Sequence, residues 1–154
     1  MDQAALDALL SQTQYPQMTV NESMIARAWI QEHGADFDAI GFNTRLGNTV
    51  DLGEGFDEVT RRQAALLSQK RADIIAQKGT TVTIVEVKLR VSLAALGQLL
   101  GYELLWKVEN PATTRVNLVA IGHDALVDVP EILRAHNVAV ELFPNVLTQQ
   151  LPYG

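Results

Sequence analysis

The stretch from Arg71 to Lys88 constrains the fold more than any other part of the chain, because it joins two strand-like runs through a turn. The runs Ala72–Ala76 and Thr81–Val87 are rich in Ile, Val and Thr, which is typical of β-strands. Between them, Lys78-Gly79 places a glycine where a two-residue hairpin loop needs a positive φ. The stretch therefore predicts a β-hairpin that contributes to the core.

Three ionisable residues interrupt this apolar hairpin, namely Asp73, Glu86 and Lys88. With Lys78-Gly79 as the loop, Asp73 stands opposite Ile84 and therefore on the same face as Glu86 and Lys88. The two carboxylates are then expected to be diagonal neighbours, with Cβ atoms roughly 7 Å apart. Two acids that reach one hard cation, with a lysine one pleat further along, predict a metal-assisted hydrolytic site.

These residues also resemble a known family. Asp73, twelve intervening residues and then Glu86-Val87-Lys88 are similar to the motif of the PD-(D/E)XK nuclease superfamily, with Ala72 where that family often has a proline. Gln98 and Tyr102 on the following helix match the Q-x-x-x-Y element of one large branch. The resemblance covers residues 22 to about 143.

The resemblance implies an α/β fold with a restriction-endonuclease-like αβββαβ core and a mixed sheet. An extra helix would be inserted before the aspartate strand, and a short helix and strand would follow at the C-terminal end. It also implies that Asp73, Glu86 and the Val87 carbonyl hold Mg²⁺, for which Mn²⁺ would substitute. Lys88 would orient or deprotonate the attacking water and stabilise charge on the phosphate.

Further site residues follow from the same resemblance. Gln98 and Tyr102 would position Lys88 or a phosphate, although alone they are more often boundary residues of a packed helix. Glu22 matches the acid of the family's first helix, and it is read equally well as a surface acid favoured by the helix dipole. Glu32, further along that helix, is the alternative candidate for the first-helix acid.

The net charge of −6 argues at first sight against a nucleic-acid partner. Seven of the 12 basic residues nevertheless lie between Arg61 and Arg90, where the only acids are the two proposed ligands. Arg71 and Arg90 are predicted to contact the substrate. The alternative is that these basic side chains merely solvate helix and turn surfaces.

Length and composition limit the number of domains, the available chemistry and the expected location of the protein. The 154 residues predict one domain, 1–154, and the absence of cysteine excludes disulfides and thiol nucleophiles. An acidic N-terminus and the lack of a long apolar run favour a cytoplasmic protein without a membrane segment. The three histidines are too scattered to indicate a metal site.

The rest of the chain predicts alternating helices and strands. Helices are expected over Glu22–His33, Asp57–Gln69, Leu93–Trp106 and Pro130–Ala135, and strands over Phe37–Leu46, Arg115–Ile121 and Val138–Phe143. The last strand, helix and strand predict parallel additions to the sheet edge. Residues 1–20 form an arm with a short helix, which packs on the domain or on a neighbouring subunit. Residues 144–154 form a tail, either loose or in an oligomer contact.

The expected helix Leu93–Trp106 has a capping residue and an apolar stripe. Ser92 is predicted as its N-cap. Leucines 93, 96, 100 and 104 recur at helical spacing and predict its buried face. Gly97 and Gly101 are predicted to let its backbone approach the sheet.

Together these features predict a metal-dependent nuclease that hydrolyses phosphodiester bonds, with DNA as the expected substrate. The first alternative is a catalytically silent module of the same fold that binds nucleic acid or serves as a scaffold. The second is a structural domain in which Lys88 and Glu86 form a surface ion pair. A homo-oligomer is left open.

Overall fold

A computed structural model describes residues 1–47, 54–62 and 70–147. Five strands form one mixed sheet in chain order: β1 (Ala39–Leu46), β2 (Lys70–Lys78), β3 (Thr81–Val91), β4 (Arg115–Ala125) and β5 (Val138–Leu142). β1, β2 and β3 pair antiparallel, whereas β4 and β5 are added parallel to β3. The fold is therefore α/β, as the sequence predicts, and the final strands join the sheet in the expected parallel orientation.

Helices cover both faces of this sheet. They are α1 (Gln3–Leu10), α2 (Val20–His33), α3 (Leu93–Glu109) and α4 (Val129–Ala135). α3 and α4 provide the long connections that parallel strands need. No helix in the described ranges is long and apolar enough to span a bilayer.

α2 begins two residues before the predicted start. Its N-cap is Thr19, whose hydroxyl accepts a hydrogen bond from the Glu22 backbone N–H at 3.2 Å. The Glu22 carboxylate in turn accepts from the Thr19 N–H at 2.8 Å, which completes a capping box. Gly34 is the C-cap residue, directly after the predicted last residue, His33.

Two apolar layers sandwich the sheet. On one face, Ile74 and Val85 pack with the buried side of α2, including Ile25 and Trp29. On the other face, Ile84 and its neighbours pack against α3 and α4. Both layers are built from side chains that leave water almost completely, which is the main source of stability in a domain of this size.

The buried face of α3 differs from the predicted one. Ala95, Leu99, Tyr102 and Trp106 face the sheet, whereas the leucines at 93, 100 and 104 are 53%, 42% and 65% exposed. A Cβ atom added at Gly97 or Gly101 would meet no described residue within 4 Å, and the described sheet strands are therefore not what these glycines approach. Ser92 is the N-cap residue, but its side chain makes no capping hydrogen bond.

The N-terminal arm packs on its own domain. Tyr15 is 1% exposed and stacks on Phe42 of β1, with ring centroids 4.5 Å apart. Leu6 and Met18 are buried in the same layer, and so is Leu147 at the start of the predicted tail. Of the two placements considered for the arm, the structure therefore has the intramolecular one.

Part of the predicted insertion lies outside the described residues. Residues 58–62 are helical, within the predicted helix Asp57–Gln69. Residues 48–53 before this helix and residues 63–69 within its predicted range lie outside the described ranges, as do residues 148–154 of the tail.

Candidate functional site

The β2–β3 hairpin brings Asp73 and Glu86 closer than the sequence predicts. The predicted loop, Lys78-Gly79, is wrong by one residue: Lys78 pairs with Thr81, and the loop is Gly79-Thr80. Gly79 has a φ of 57° at the first loop position, the conformation that favours glycine there. The strands therefore shift by two residues relative to the predicted register, and this register, extended one residue beyond the last pair Ile74–Val85, places Asp73 opposite Glu86 instead of Ile84.

A shift of two residues leaves the predicted face unchanged, because side chains alternate with a period of two. Asp73, Glu86 and Lys88 thus still lie on one face, the one covered by α3. The regular β2–β3 pairing stops at Ile74–Val85, just before Asp73. There the Asp73 carboxylate accepts a hydrogen bond from the Val87 backbone N–H at 2.8 Å and replaces a backbone acceptor.

The neighbouring strand is also irregular beside Asp73. The β1–β2 pairing passes from Phe42–Ile74 to Thr44–Ala72, and Asn43 between these pairs has a φ of 50°. A left-handed backbone is uncommon for a residue other than glycine, and asparagine is among those that tolerate it best. The sheet is therefore distorted on both sides of the aspartate.

Glu86 is a buried acid with one paired and one unpaired oxygen. The residue is 3% exposed. Its Oε1 lies 3.1 Å from the Nζ of Lys88, whose side chain is 33% exposed. Its Oε2 is buried and accepts no hydrogen bond from the residues that the structure describes; when Glu86 is protonated, its carboxyl can share the proton with Asp73. An unpaired carboxylate oxygen in the interior is costly unless a cation or a proton occupies it.

Burial and mutual repulsion disfavour the charged forms of both acids. The pKa of Glu86 is raised to about 7, first by burial and then by the charge of Asp73, while the Lys88 ammonium opposes the rise. Burial also raises the pKa of Asp73, against the Val87 hydrogen bond and the charge of Lys88. Near neutral pH, without a cation, the pair therefore retains a proton in a substantial fraction of molecules.

Gln98 and Tyr102 approach this pair from α3. Tyr102 is buried, and its pKa is raised by burial and by the nearby charges of Glu86 and Asp73, while a hydrogen bond with Gln98 lowers it. The Oε1 atom of Gln98 is buried without a partner, like the Oε2 of Glu86. Two unsatisfied acceptors therefore lie in the part of the molecule where the sequence predicts a site.

Of the two α2 acids, Glu22 is the one whose charge reaches the pair. It contributes to the raised pKa of Asp73, whereas Glu32 does not. Glu32 lies near the opposite end of α2, where His33 Nε2 is 3.8 Å from its carboxylate and 2.8 Å from that of Glu141 on β5. Sequence reasoning dismissed His33 as a metal ligand, and spacing could not reveal this cluster because Glu141 is distant in the chain.

The basic residues near the site, Arg90, Arg71 and Lys70, differ in their partners and in their exposure. Arg90 makes two hydrogen bonds of 2.9 Å to the Asp124 carboxylate on β4, so its guanidinium is held by an acid of the protein. This pairing lowers the pKa of Asp124. Arg71 is half-buried on β2 opposite Arg45. Lys70, which the sequence did not single out, is exposed and lines a groove with Gln98 and Tyr102.

The carboxylate and carbonyl oxygens around Asp73 and Glu86 suit a hard divalent cation as ligands. Glu86 Oε2 accepts no hydrogen bond from the described residues, and the Asp73 carboxylate is close enough for its charge to raise the pKa of Glu86. The N–H and C=O of one strand residue point to the same edge. The Val87 carbonyl therefore faces β2, like the Val87 N–H that binds Asp73. Oxygen ligands of this kind and number are what Mg²⁺ takes from proteins, with waters filling its other positions.

Comparison with known proteins adds no relative: no family model, no curated protein and no solved structure matches this chain.

Proposed function

We propose that this protein is a Mg²⁺-dependent nuclease of the PD-(D/E)XK type that hydrolyses phosphodiester bonds, with DNA as its substrate. The observation that carries the proposal is the buried Glu86, with an unpaired Oε2, opposite Asp73 and 3.1 Å from the amine of Lys88. A structural ion pair would not need the second acid. A surface ion pair is also inconsistent with an acid that is 3% exposed.

The order of elements supports the restriction-endonuclease-like fold within this proposal. An α-helix, three antiparallel strands, a crossing helix and a parallel strand follow one another as α2, β1–β3, α3 and β4. The acids lie at the point where β2 stops pairing with β3, so that their side chains meet beside an interrupted ladder.

Asp73, Glu86 and the carbonyl of Val87 would hold the cation. Bound Mg²⁺ supplies charge stabilisation for the phosphate and lowers the pKa of water. Because Glu86 has a pKa of about 7, the site must release a proton as it takes up the cation. Metal affinity is therefore expected to rise between pH 6 and pH 8.

Lys88 is the residue we assign to the attacking water. Its amine is anchored by Glu86 Oε1 yet remains partly exposed, so it lies between the acids and the solvent. In that place it can orient a water by hydrogen bonding and offset negative charge that develops on the phosphate oxygens. Gln98 and Tyr102 would hold the phosphate from the α3 side, and Glu22 would act through a water.

The decisive experiment separates metal binding from cleavage. Mn²⁺ binding is measured by calorimetry, and nicking of supercoiled plasmid DNA is followed with Mg²⁺, for wild type and Lys88→Ala. Lys88→Ala is expected to keep the cation site and to lose at least about 100-fold in rate, the range of general acid–base contributions. Glu86→Gln is expected to lose both metal affinity and cleavage.

Lys107→Ala is the matched control, because Lys107 forms an exposed ion pair with Glu103 within α3. It should cleave at the wild-type rate. Metal binding by wild type without cleavage of any plasmid, linear or single-stranded DNA would instead support the catalytically silent module. Cleavage that is unchanged in both Lys88→Ala and Glu86→Gln would show that the activity does not come from this site and would end the proposal.

A further inference from the structure

A groove lined in part by Tyr102, whose surroundings include the charges of the two acids, lies along α3. It has a volume of about 460 Å³ and runs between the start of β2 and the outer side of α3. Gly97, Gly101, Leu104 and Leu105 form its apolar wall. Pockets that bind small molecules usually measure 300–1,000 Å³ and are mostly apolar with a few polar groups. This groove, called the α3 groove below, has that character.

Three polar groups line the α3 groove at defined places. Lys70 brings a positive charge from β2, and Gln98 brings an amide whose Oε1 is buried without a partner. Tyr102 also lines the groove, and its pKa responds to the charges of Glu86 and Asp73. The groove and the candidate metal site therefore share a wall.

The two glycines make one side of the groove flat. Among the described residues, nothing lies within 4 Å of a Cβ atom built at Gly97 or Gly101. A helix surface without side chains exposes a smooth strip on which a planar ring can lie. Glycine lowers helix stability relative to alanine, so its presence twice in an open helical face is not explained by folding.

We propose that the α3 groove holds one unpaired nucleotide of the strand that is cut. The base lies on the glycine strip and bonds to the Gln98 amide, and its phosphate meets Lys70. A base within a duplex is stacked and paired, so it enters such a groove only after it is extruded, at a cost in energy. The inference rests on the proposed nuclease function and specifies its substrate: single-stranded DNA, or a duplex with an unpaired end.

Charge favours this occupant over a second copy of the chain. The wall is apolar, but the charge of Lys70 would be buried without a partner under the apolar side chains of another α3. A nucleotide offers a phosphate for Lys70, and its base offers ring N–H and carbonyl groups for the Gln98 amide. Self-association through α3 is accordingly an outcome that the test must detect.

The test fills the groove without disturbing the fold. Gly101→Leu adds a side chain to open space in a helix, and Ala94→Leu does the same at an exposed α3 position outside the groove. Cleavage with Mg²⁺ is compared on a labelled single strand, a duplex with a single-stranded tail and a blunt duplex. Binding of fluorescein-labelled oligothymidylate is measured by anisotropy in EDTA.

Wild type and Ala94→Leu are expected to cut the single strand and the tail at least about tenfold faster than the blunt duplex. Gly101→Leu should lose about tenfold or more in oligothymidylate affinity, the range of one base contact, and a similar factor in cleavage of unpaired strands. Circular dichroism is expected to show unchanged helix content.

Three results would overturn the inference. Gly101→Leu could bind oligothymidylate as tightly as wild type, or wild type could cut the blunt duplex as fast as the single strand. Light scattering could also show a wild-type dimer that Gly101→Leu converts to a monomer, which would assign the groove to a second copy. Failure of the nuclease proposal looks different: oligothymidylate binding that depends on Gly101 would remain, without cleavage of any strand.

Discussion

At the scale of single residues, Glu86 combines deep burial with an incomplete set of partners. One oxygen contacts Lys88 and the other contacts no donor, in a residue that is 3% exposed. Such an arrangement destabilises the fold without a cation, since burial of a glutamine or an apolar residue would cost less free energy. Acids with strongly raised pKa values beside a specific charge partner are concentrated at functional sites.

The pH dependence of stability follows from this pKa. The folded-state pKa of Glu86 is about 7, above its ordinary value of 4.5. A group with a raised pKa contributes stability that is fully present below the lower value and is lost as pH rises through the higher one. For the metal-free protein, we therefore expect Glu86 to reduce the free energy of unfolding progressively between pH 4.5 and about pH 7.

Glu86→Gln should remove this dependence. At pH 8 in EDTA, the variant is expected to be more stable than wild type by about 2–3 kcal/mol, and near pH 4.5 the difference should vanish. Urea unfolding at several pH values measures both. Parallel pH profiles for the two proteins would contradict the expectation.

The sequence could predict which residues share a face, but not their partners. Asp73, Glu86 and Lys88 were placed on one face from alternation alone, and their roles stay a prediction. The pairing of Arg90 with Asp124 depends on the register of β3 and β4, which no local pattern specifies. The predicted contact of Arg90 with substrate therefore overlooked an acid inside the protein.

At the scale of elements, α3 shows why helical periodicity can select the wrong face. The exposed series 93, 100 and 104 and the buried series 95, 99, 102 and 106 both follow helical spacing, and the exposed one contains more leucine. Tyr102 could have decided between them. If Tyr102 points at the site, the residues on its own side of the helix must face the sheet.

Two neighbouring leucines on α3 provide a matched test of this packing. Leu99 is 0% exposed and Leu100 is 42% exposed. Leu99→Ala should reduce the free energy of unfolding by about 2–5 kcal/mol, the cost of a cavity in a core, and Leu100→Ala by less than about 1 kcal/mol. Urea denaturation with EDTA present measures both, and equal losses would mean that α3 is rotated from its described orientation.

The hairpin was predictable to within one residue at its turn. Ile, Val and Thr identified the strands, and glycine identified the loop, but a glycine with positive φ can occupy either loop position. The structure places Gly79 first rather than second. The resulting shift of two residues keeps Asp73 and Glu86 on the predicted face. It places them opposite each other, whereas the sequence predicted diagonal neighbours.

At the scale of the whole molecule, the N-terminal arm is joined to the sheet through Tyr15. Besides stacking on Phe42, its hydroxyl donates to the Leu9 carbonyl at 2.9 Å and its N–H donates to Ser23 Oγ at 3.0 Å. The stacking joins residues remote in sequence, Tyr15 and Phe42, which explains why composition left the arm's placement open. The Glu32, His33 and Glu141 cluster was unpredictable for the same reason.

Removal of the Tyr15 ring is expected to weaken the attachment of the N-terminal arm to the sheet. Tyr15→Ala is expected to reduce the free energy of unfolding by about 3–5 kcal/mol, as for other large core residues. Tyr15→Phe, which keeps the ring and deletes only the hydroxyl, should cost about 1 kcal/mol. Thermal unfolding of the two variants checks the comparison, and a loss below about 1 kcal/mol for Tyr15→Ala would show that the arm does not support the domain.

The hydrogen bond from the Val87 N–H to Asp73 has a practical consequence for choosing an inactive variant. Asp73→Ala would delete the charge and also leave a main-chain donor without its acceptor, so a loss of activity would be confounded with local unfolding. Asp73→Asn keeps an oxygen for that donor while removing the negative charge. In this protein the isosteric amide is therefore the informative substitution, because the aspartate completes the strand ladder as well as the candidate site.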